Sequence, residues 1–127
     1  MSTALTAAER LELPHLMCAA ADAGRAEDFG AWFADDATYT FGNSPTIVGR
    51  EAVVAATAGA VGSLPWLEHV VEEVTDAGDR LFCRYTIKSG SRTGEALALP
   101  CMTVITLGDE GKIVDYRVFM DLSPALP

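Results

Sequence analysis

The side chains that could carry out chemistry in this sequence are few, and the clearest of them are acid–base groups. His69 lies between Leu67 and Val71 in an alternating apolar run, so it should share the buried face of a strand. An imidazole in that position can accept or donate a proton near neutral pH. Because a buried polar group needs a hydrogen-bond partner, we expect a tyrosine hydroxyl, an aspartate or a water beside it. The alternative role for His69 is structural, at a strand edge or a dimer face.

A second acid–base candidate is Asp121, which ends the last apolar run in the segment FMDLSP. Its alternative role is to cap the end of a strand or to pair with Arg117, with which it shares a face by alternation. His69 and Asp121 are therefore the two candidates for a catalytic acid or base.

Aromatic and hydroxyl side chains in neighbouring runs could bind the oxygens of a substrate. Tyr39 and Tyr85 lie in apolar alternations, where each hydroxyl could meet a substrate or be satisfied within the core. Trp32 fits either a cavity wall or the core. The residues that we expect to line a cavity are Trp32, Tyr39, His69, Tyr85, Thr103 and Val118.

Other kinds of catalytic site lack their residue patterns. The two histidines are isolated, and no H-x-x-x-H or C-x-x-C spacing supplies a set of metal ligands. The G-x-S-x-G pattern of a serine nucleophile and the glycine loops that bind phosphate are also missing. The segment from Gly90 to Gly94 has a superficially similar appearance but predicts a hairpin turn. The sequence therefore predicts no metal and no cofactor.

Length and composition limit the classes of protein that this chain can represent. Its 127 residues predict one domain, residues 1–127. Eighteen acids against nine bases disfavour nucleic-acid binding, because phosphate neutralisation needs clustered Lys and Arg. No apolar run approaches the roughly 18 residues of a membrane span, and no secretion signal is recognisable. Three cysteines, far apart in the sequence, predict reduced thiols in a cytoplasmic protein.

Helical signals occupy the first half of the chain. Thr6 and Glu9 form a capping-box pattern ahead of apolar residues at helical spacing, and Gly24 should end that helix. Pro14 should kink it or delay its start. We predict a second helix over residues 26–33 and a third over residues 50–60.

The apolar period then changes to two. We predict strands over residues 67–74, 81–88, 95–107 and 112–122, with a short earlier strand over residues 37–41. Alternation places Tyr116 and Val118 on one face of the last strand together with Val114, and Ile113 on the other face. Helices followed by hairpins predict an α+β fold, in which a curved antiparallel or mixed sheet is wrapped by three N-terminal helices. Such a cone holds either a filled core or a pocket.

The order of these elements, with the segments WFADDATY, GNSPTIVGREAV and GKIVDYRVFMDL, resembles the nuclear transport factor 2-like superfamily over about residues 8–122. That superfamily includes SnoaL-like polyketide cyclases, ketosteroid isomerases, limonene epoxide hydrolases and scytalone dehydratases. We interpret residues 33–53 as architectural, with Phe33 closing the second helix and Asp35 and Asp36 in the turn into the first strand.

The resemblance implies catalytic positions that can be checked residue by residue. Ketosteroid isomerases need a carboxylate base where this chain holds Thr40 or Phe41, and their oxyanion donors match Met17 or a neighbour and Thr103. Limonene epoxide hydrolases need an Arg between two aspartates. Those positions match Tyr85, Ile87 and Val118. Both specialisations are therefore disfavoured. Scytalone dehydratases and many SnoaL-like proteins carry a His in the region of His69.

The resemblance and the residues together predict a small cofactor-independent enzyme that acts on a hydrophobic oxygenated metabolite of polyketide or terpenoid type. The reaction would be proton transfer, as in a cyclase, a dehydratase (lyase) or an isomerase. The alternative is a non-catalytic ligand-binding or assembly module. One observation distinguishes the two hypotheses. A pocket of about 300 Å³ or more with His69 pointing in favours the enzyme, and a filled cone favours the module.

Sheets of this superfamily commonly pair back to back, which implies a homodimer through the sheet. The outer face that would be covered carries Phe82, Ala98, Met102 and Phe119. The other expected partner is a small hydrophobic molecule.

Overall fold

Three helices cover one face of a six-stranded sheet in the computed structural model, which describes residues 4–90, 94–121 and 123–125. The helices are α1 (Ala7–Asp22), α2 (Ala26–Gly30) and α3 (Arg50–Gly62). The first begins at the expected capping box: Thr6 Oγ1 accepts from the Glu9 amide at 3.1 Å, and Glu9 Oε1 accepts from the Thr6 amide at 2.9 Å. Pro14 lies inside α1 and does not delay its start. The chain leaves α1 through Gly24, whose φ of 74° suits glycine.

The strands form one mixed sheet, which confirms the α+β fold with a cone-shaped sheet under N-terminal helices. They are β1 (Phe33–Phe41), β2 (Ile47–Val48), β3 (Leu67–Asp76), β4 (Arg80–Gly90), β5 (Ala96–Leu107) and β6 (Ile113–Phe119). Their order is β2-β1-β6-β5-β4-β3, and every neighbouring pair is antiparallel except β1 and β6, which are parallel. A short 3₁₀ turn over Ser123–Ala125 follows β6. None of the described helices is long and apolar enough to cross a membrane.

The boundary between α2 and β1 differs from the sequence-based prediction. The helix ends at Gly30 instead of residue 33, and Phe33 opens β1 four residues before the predicted strand. The cause is long-range pairing, because the Ile113 amide donates to the Trp32 carbonyl at 2.8 Å and Phe33 pairs with Ile113. A distant strand therefore extends β1 into a segment whose local pattern favours helix.

Asp35 and Asp36 lie within β1 and not in the turn that precedes it, so that prediction was wrong. Both are exposed, and Asp35 forms an ion pair with Arg50 at the start of α3. Asp35 thus links β1 to α3 at the surface, which is a structural role.

The predicted alternation of β6 fails at its first two residues. Ile113 is fully buried and Val114 is 40% exposed, the reverse of the expectation. The pairing of β5 with β6 shifts register between Thr106 and Leu107, so one extra residue of β6 fits into the ladder. From Tyr116 onward the expected inward face is correct.

The core fills the space between the helices and the concave face of the sheet. Leu81, Cys83, Tyr85 and Ile87 of β4 point inward, as expected. The largest fully buried side chains of this core include Phe33, Leu81, Ile105 and Ile113. Of the predicted hairpin turn, residues 91–93 lie outside the described residues, as does residue 122 at the end of the predicted last strand.

Candidate functional site

A cavity of about 290 Å³ lies between the helices and the concave face of the sheet. Every strand from β3 to β6 contributes to its wall, together with β1, α1 and the last two turns of α3. Most of the lining is apolar, with a few polar side chains that converge on the same space. This composition is typical of small-molecule sites, and the volume is at the lower end of their range. The cone is therefore not filled.

His69 lines this cavity and is held by Asp22, the last residue of α1. Asp22 Oδ1 lies 2.5 Å from His69 Nδ1, and Asp22 Oδ2 accepts a hydrogen bond from the His69 amide at 2.8 Å. The carboxylate thus accepts from two groups of one residue, so in the neutral imidazole the ring proton lies on Nδ1 and Nε2 is the acceptor. The side chains are 21% and 23% exposed, so the pair is neither fully buried nor freely solvated.

Local sequence explains why Asp22 reaches β3. Helix α1 packs along β3, and Gly24 lets the chain turn away immediately after the helix. A carboxylate at a helix C-terminus is electrostatically unfavourable, because the helix dipole already places negative charge there. The two hydrogen bonds from His69 offset this cost. Sequence reasoning missed Asp22, although an acid in the last turn of a predicted helix was a usable signal.

Tyr85 joins His69 to a second polar pair on the sheet. The Tyr85 ring stands edge-on to the imidazole, with centroids 6.1 Å apart and an interplanar angle of 82°. Its hydroxyl accepts a hydrogen bond from Thr103 Oγ1 at 2.9 Å. Burial raises the pKa of Tyr85, so its hydroxyl stays protonated throughout the physiological range. Both side chains line the cavity.

Two further tyrosines stack on the strands opposite β3. Tyr39 of β1 and Tyr116 of β6 are register partners, with ring centroids 5.3 Å apart and planes within 5° of parallel. Both line the cavity, and burial raises the pKa of Tyr39 to about 12 and that of Tyr116 well above its ordinary value. Tyr116 is a site residue that sequence reasoning placed on the inward face but did not select.

Residues 15–116 match the SnoaL-like domain, which is about four fifths of the chain. The chain belongs to the SnoaL-like family. No curated protein matches it.

Solved structures show the same fold. A hypothetical protein with a ketosteroid isomerase-like fold from Catenulispora acidiphila DSM 44928, in complex with trimethylamine, superposes with a TM-score of 0.82 at 21% identity, covering 91% of this chain and 89% of its own. A putative SnoaL-like polyketide cyclase from Jannaschia sp. CCS1 gives 0.81 at 22%, covering 93% and 92%. A nuclear transport factor 2-like protein of unknown function from Burkholderia pseudomallei K96243 gives 0.79 at 16%, covering 91% and 92%. At these identities the likeness establishes the fold.

Five of the seven predicted site residues border the cavity of this SnoaL-like chain, namely Tyr39, His69, Tyr85, Thr103 and Val118. Trp32 does not, because it packs against the core just before β1. Asp121 does not either: it is exposed beyond the end of β6, and its Oδ1 accepts from the Ser123 amide at 2.9 Å. Hydrogen bonds from the backbone amide and then the side chain of Ser123 hold the pKa of Asp121 below its ordinary value. Asp121 caps the strand end, and Arg117 pairs with Asp115 instead.

The cysteines of the SnoaL-like chain are free, buried thiols. Cys18 and Cys101 border the cavity, and burial raises the pKa of each to about 12. They therefore act as small apolar wall residues and not as thiolates. Within residues 4–90, 94–121 and 123–125, no group of three or more His, Cys, Asp or Glu side chains could hold a metal ion.

The cavity wall carries almost no charge. Among the described residues that line it, none is Lys, Arg, Asp or Glu, and His69 is the one histidine. A charged ligand would therefore lose its hydration without gaining an ion partner on the wall, apart from a protonated His69.

Proposed function

We propose that this SnoaL-like protein is a small cofactor-independent enzyme that transfers a proton on a hydrophobic oxygenated metabolite. The observation that carries the proposal is the Asp22–His69 pair at the wall of an apolar cavity of about 290 Å³. Cyclisation, dehydration and isomerisation all include such a step. The cavity volume favours a compact ligand of terpenoid or small polyketide type.

In this proposal His69 is the acid–base catalyst and Asp22 positions it. The carboxylate holds the ring proton on Nδ1, so Nε2 can take a proton from a carbon or hydroxyl of the substrate. When the imidazole becomes charged, the adjacent carboxylate stabilises it. His69 can then return the proton to another atom of the same substrate. One side chain thus serves as base and as acid, and the step needs no cofactor.

The base differs in position from that of a ketosteroid isomerase. The equivalent residue on β1 is Thr40 or Phe41. Thr40 forms an exposed hydroxyl pair with Thr46 at 2.7 Å, and Phe41 lines the cavity without an ionisable group. We therefore assign the proposed proton transfer to β3 and α1, on the other side of the cone.

Binding of small molecules has support from one neighbour in structure. The Catenulispora protein was solved in complex with trimethylamine, so a protein with this fold can hold a small organic molecule. For the present chain we assign oxygen binding to Tyr39, Tyr85 and Thr103, with Val118 as apolar wall.

Hydrogen–deuterium exchange at an activated C–H bond tests proton transfer without knowledge of the natural substrate. We would use 1-indanone in D₂O and follow loss of the signal of the protons next to the carbonyl by NMR. His69→Gln should keep ketone affinity and lower the exchange rate by about 10²–10⁴-fold, as for a lost general base. Asp121→Asn is the matched control and should exchange like the unmodified protein, because Asp121 lies away from the cavity.

Two outcomes would oppose the proposal. Exchange that survives in His69→Gln would remove His69 as the catalyst. Binding of 1-indanone and of a wider set of metabolites without exchange or turnover above buffer would favour the ligand-binding or assembly module.

We further propose a homodimer through the outer face of the sheet. Met102 pairs in register with Phe119, and these two side chains are 40% and 53% exposed. Phe82 and Ala98 extend the apolar area on the same face. Light scattering should give about twice the 13.5 kDa of one chain at micromolar concentration. Phe119→Lys should shift it to the monomer, and a monomeric unmodified protein would refute the dimer.

A further inference from the structure

The stacked pair Tyr39 and Tyr116 has polar ends that the protein does not use. Tyr39 and Tyr116 are register partners on the adjacent parallel strands β1 and β6, so both side chains leave the sheet on the same face. Tyr116 is only 6% exposed, and the phenyl rings of Phe29 and Phe33 pack against it at 5.9 and 5.6 Å. Aromatic packing therefore fixes the pair on its apolar sides.

No partner for either hydroxyl lies among the described residues. In the same residues, every fully enclosed side-chain nitrogen or oxygen has a hydrogen-bond partner. The hydroxyls of Tyr39 and Tyr116 must therefore border open space, which at this position is the cavity that both side chains line. A hydroxyl withdrawn from bulk water without a partner is destabilising, so this site needs an acceptor from a ligand or a water.

We propose that Tyr39 and Tyr116 together form a two-donor site for a single carbonyl oxygen, and that the ligand is an uncharged ketone or enone. This deepens the proposed function and rests on it for the role of the ligand. The two side chains leave the same face of the sheet with ring centroids 5.3 Å apart, so their hydroxyls are neighbours, and one oxygen that lies about 2.7 Å from each can accept from both.

The choice of a carbonyl over a carboxylate or phosphate follows from charge. No Lys or Arg lines the cavity among the described residues, so an anionic group would meet no permanent positive charge to replace its water. A carbonyl loses less hydration and is satisfied by two hydroxyls. The hydroxyls also remain donors at any working pH, because burial raises both pKa values.

The arrangement gives the two walls of the cavity complementary tasks. Tyr39 and Tyr116 lie on β1 and β6, whereas His69 lies on β3, with Tyr85 and Thr103 on the strands between them. A ketone held by its oxygen at the tyrosine pair can present a neighbouring C–H bond toward His69. Removal of that proton by His69 Nε2 shifts the electron pair into a C=C bond and puts negative charge on the oxygen, where the two hydroxyls stabilise it.

Matched ligands and variants test the donor site by binding alone. The probes are 1-indanone, indane, which lacks the oxygen, and indane-1-carboxylate, measured by calorimetry with the full chain. Unmodified protein should bind the ketone more tightly than the hydrocarbon and should not bind the carboxylate measurably. Tyr39→Phe and Tyr116→Phe should each weaken ketone binding about 2- to 10-fold and leave indane affinity unchanged. Thr57→Val removes a hydroxyl from the α3 wall and is the control.

Infrared difference spectra give a signature that a structural role for the tyrosines would not produce. Two donors should lower the carbonyl stretching frequency of bound 1-indanone below its value in water-free solvent, and each Tyr→Phe change should move it part of the way back. Unequal binding of ketone and indane is required: equal affinity in the unmodified protein overturns the proposal. Equal loss for both ligands, or an effect of only one tyrosine, overturns the two-donor site as well.

The binding measurements test the tyrosine pair and the exchange assay tests His69, so either proposal can fail without the other. Deuterium exchange that depends on His69 while the tyrosine variants bind normally removes the donor site and keeps the catalyst. Ketone-specific losses in the tyrosine variants without exchange remove the catalyst and keep the donor site.

Discussion

Replacing Asp22 with asparagine should harm catalysis more than replacing it with alanine. The reason is the number of donors that the side chain receives. Asp22 accepts from two groups of His69, the backbone amide at 2.8 Å and the ring Nδ1 at 2.5 Å. The two donors meet different carboxylate oxygens, and asparagine puts an NH₂ donor in place of one of them, so in this geometry it cannot accept from both.

The backbone amide decides how the asparagine is oriented. An amide N–H can only donate, whereas the ring Nδ1 can either donate or accept, depending on the tautomer. Both hydrogen bonds survive in Asp22→Asn only if the oxygen faces the amide and the NH₂ faces Nδ1. The ring proton then moves to Nε2, which can no longer accept a proton from the substrate.

The magnitudes follow from these two effects. Asp22→Asn should lower the exchange rate by about 10²–10⁴-fold, the loss expected when a general base is in the wrong form. Asp22→Ala removes a charge-assisted hydrogen bond worth about 1.5–3 kcal/mol but leaves both tautomers accessible, so a loss of roughly 10- to 100-fold is expected. The free energy of unfolding should show the opposite order, with Asp22→Ala less stable than Asp22→Asn, because alanine also leaves the His69 amide without its acceptor.

Nitrogen-15 NMR of the imidazole together with the exchange assay checks this reasoning. The unmodified protein and Asp22→Ala should show an unprotonated Nε2, wholly or in part, at a pH where the ring is neutral. Asp22→Asn should show a protonated Nε2. Higher activity in Asp22→Asn than in Asp22→Ala, or an unprotonated Nε2 in Asp22→Asn, would refute the tautomer argument.

Three further predictions concern stability and thiol chemistry. Arg10 hydrogen-bonds to Asp76 at 2.8 Å and holds the pKa of that carboxyl at about 2, so the ion pair stabilises the fold above the unfolded pKa of about 3.9 and loses its effect as pH falls through about 2. Water reaches both groups, so we expect Asp76→Asn to lower the unfolding free energy by about 1 kcal/mol at pH 7 and by nearly nothing at pH 2. Urea titrations measure this difference, and the exposed Asp79→Asn is the control. Gly30→Ala should destabilise the α2–α3 contact by about 1–3 kcal/mol, because the added methyl group would collide with the Val54 side chain, and Val54→Ala in the same chain should recover most of the loss in thermal unfolding. The cysteine thiols are buried and their pKa values are raised, so a thiol reagent at pH 8 should label none of the three in the folded protein and all three in denaturant, and rapid labelling of the folded protein would contradict this.

The sequence by itself determined the elements whose signals are local. The capping box at Thr6 and Glu9 defined the start of α1, and alternation defined the inward faces of β4 and β5. The same alternation put His69 on the cavity side of β3, since Leu67 and Val71 flank it at two-residue spacing. Each of these features depends on neighbours within a few residues, so the period of apolar residues is sufficient to predict it.

Only the tertiary structure decided which of the distant residues meet. Asp22 and His69 are 47 residues apart, and their contact requires α1 to pack along β3. Tyr39 and Tyr116 stack because β1 and β6 pair in parallel, an arrangement that a succession of hairpins does not imply. The register shift between β5 and β6, which reversed the predicted faces of Ile113 and Val114, also depends on how two strands pair and not on the local pattern. Periodicity encodes which face of an element is buried, whereas register and helix placement are set by the packing of elements far apart in the chain, and the candidate site consists of those long-range contacts.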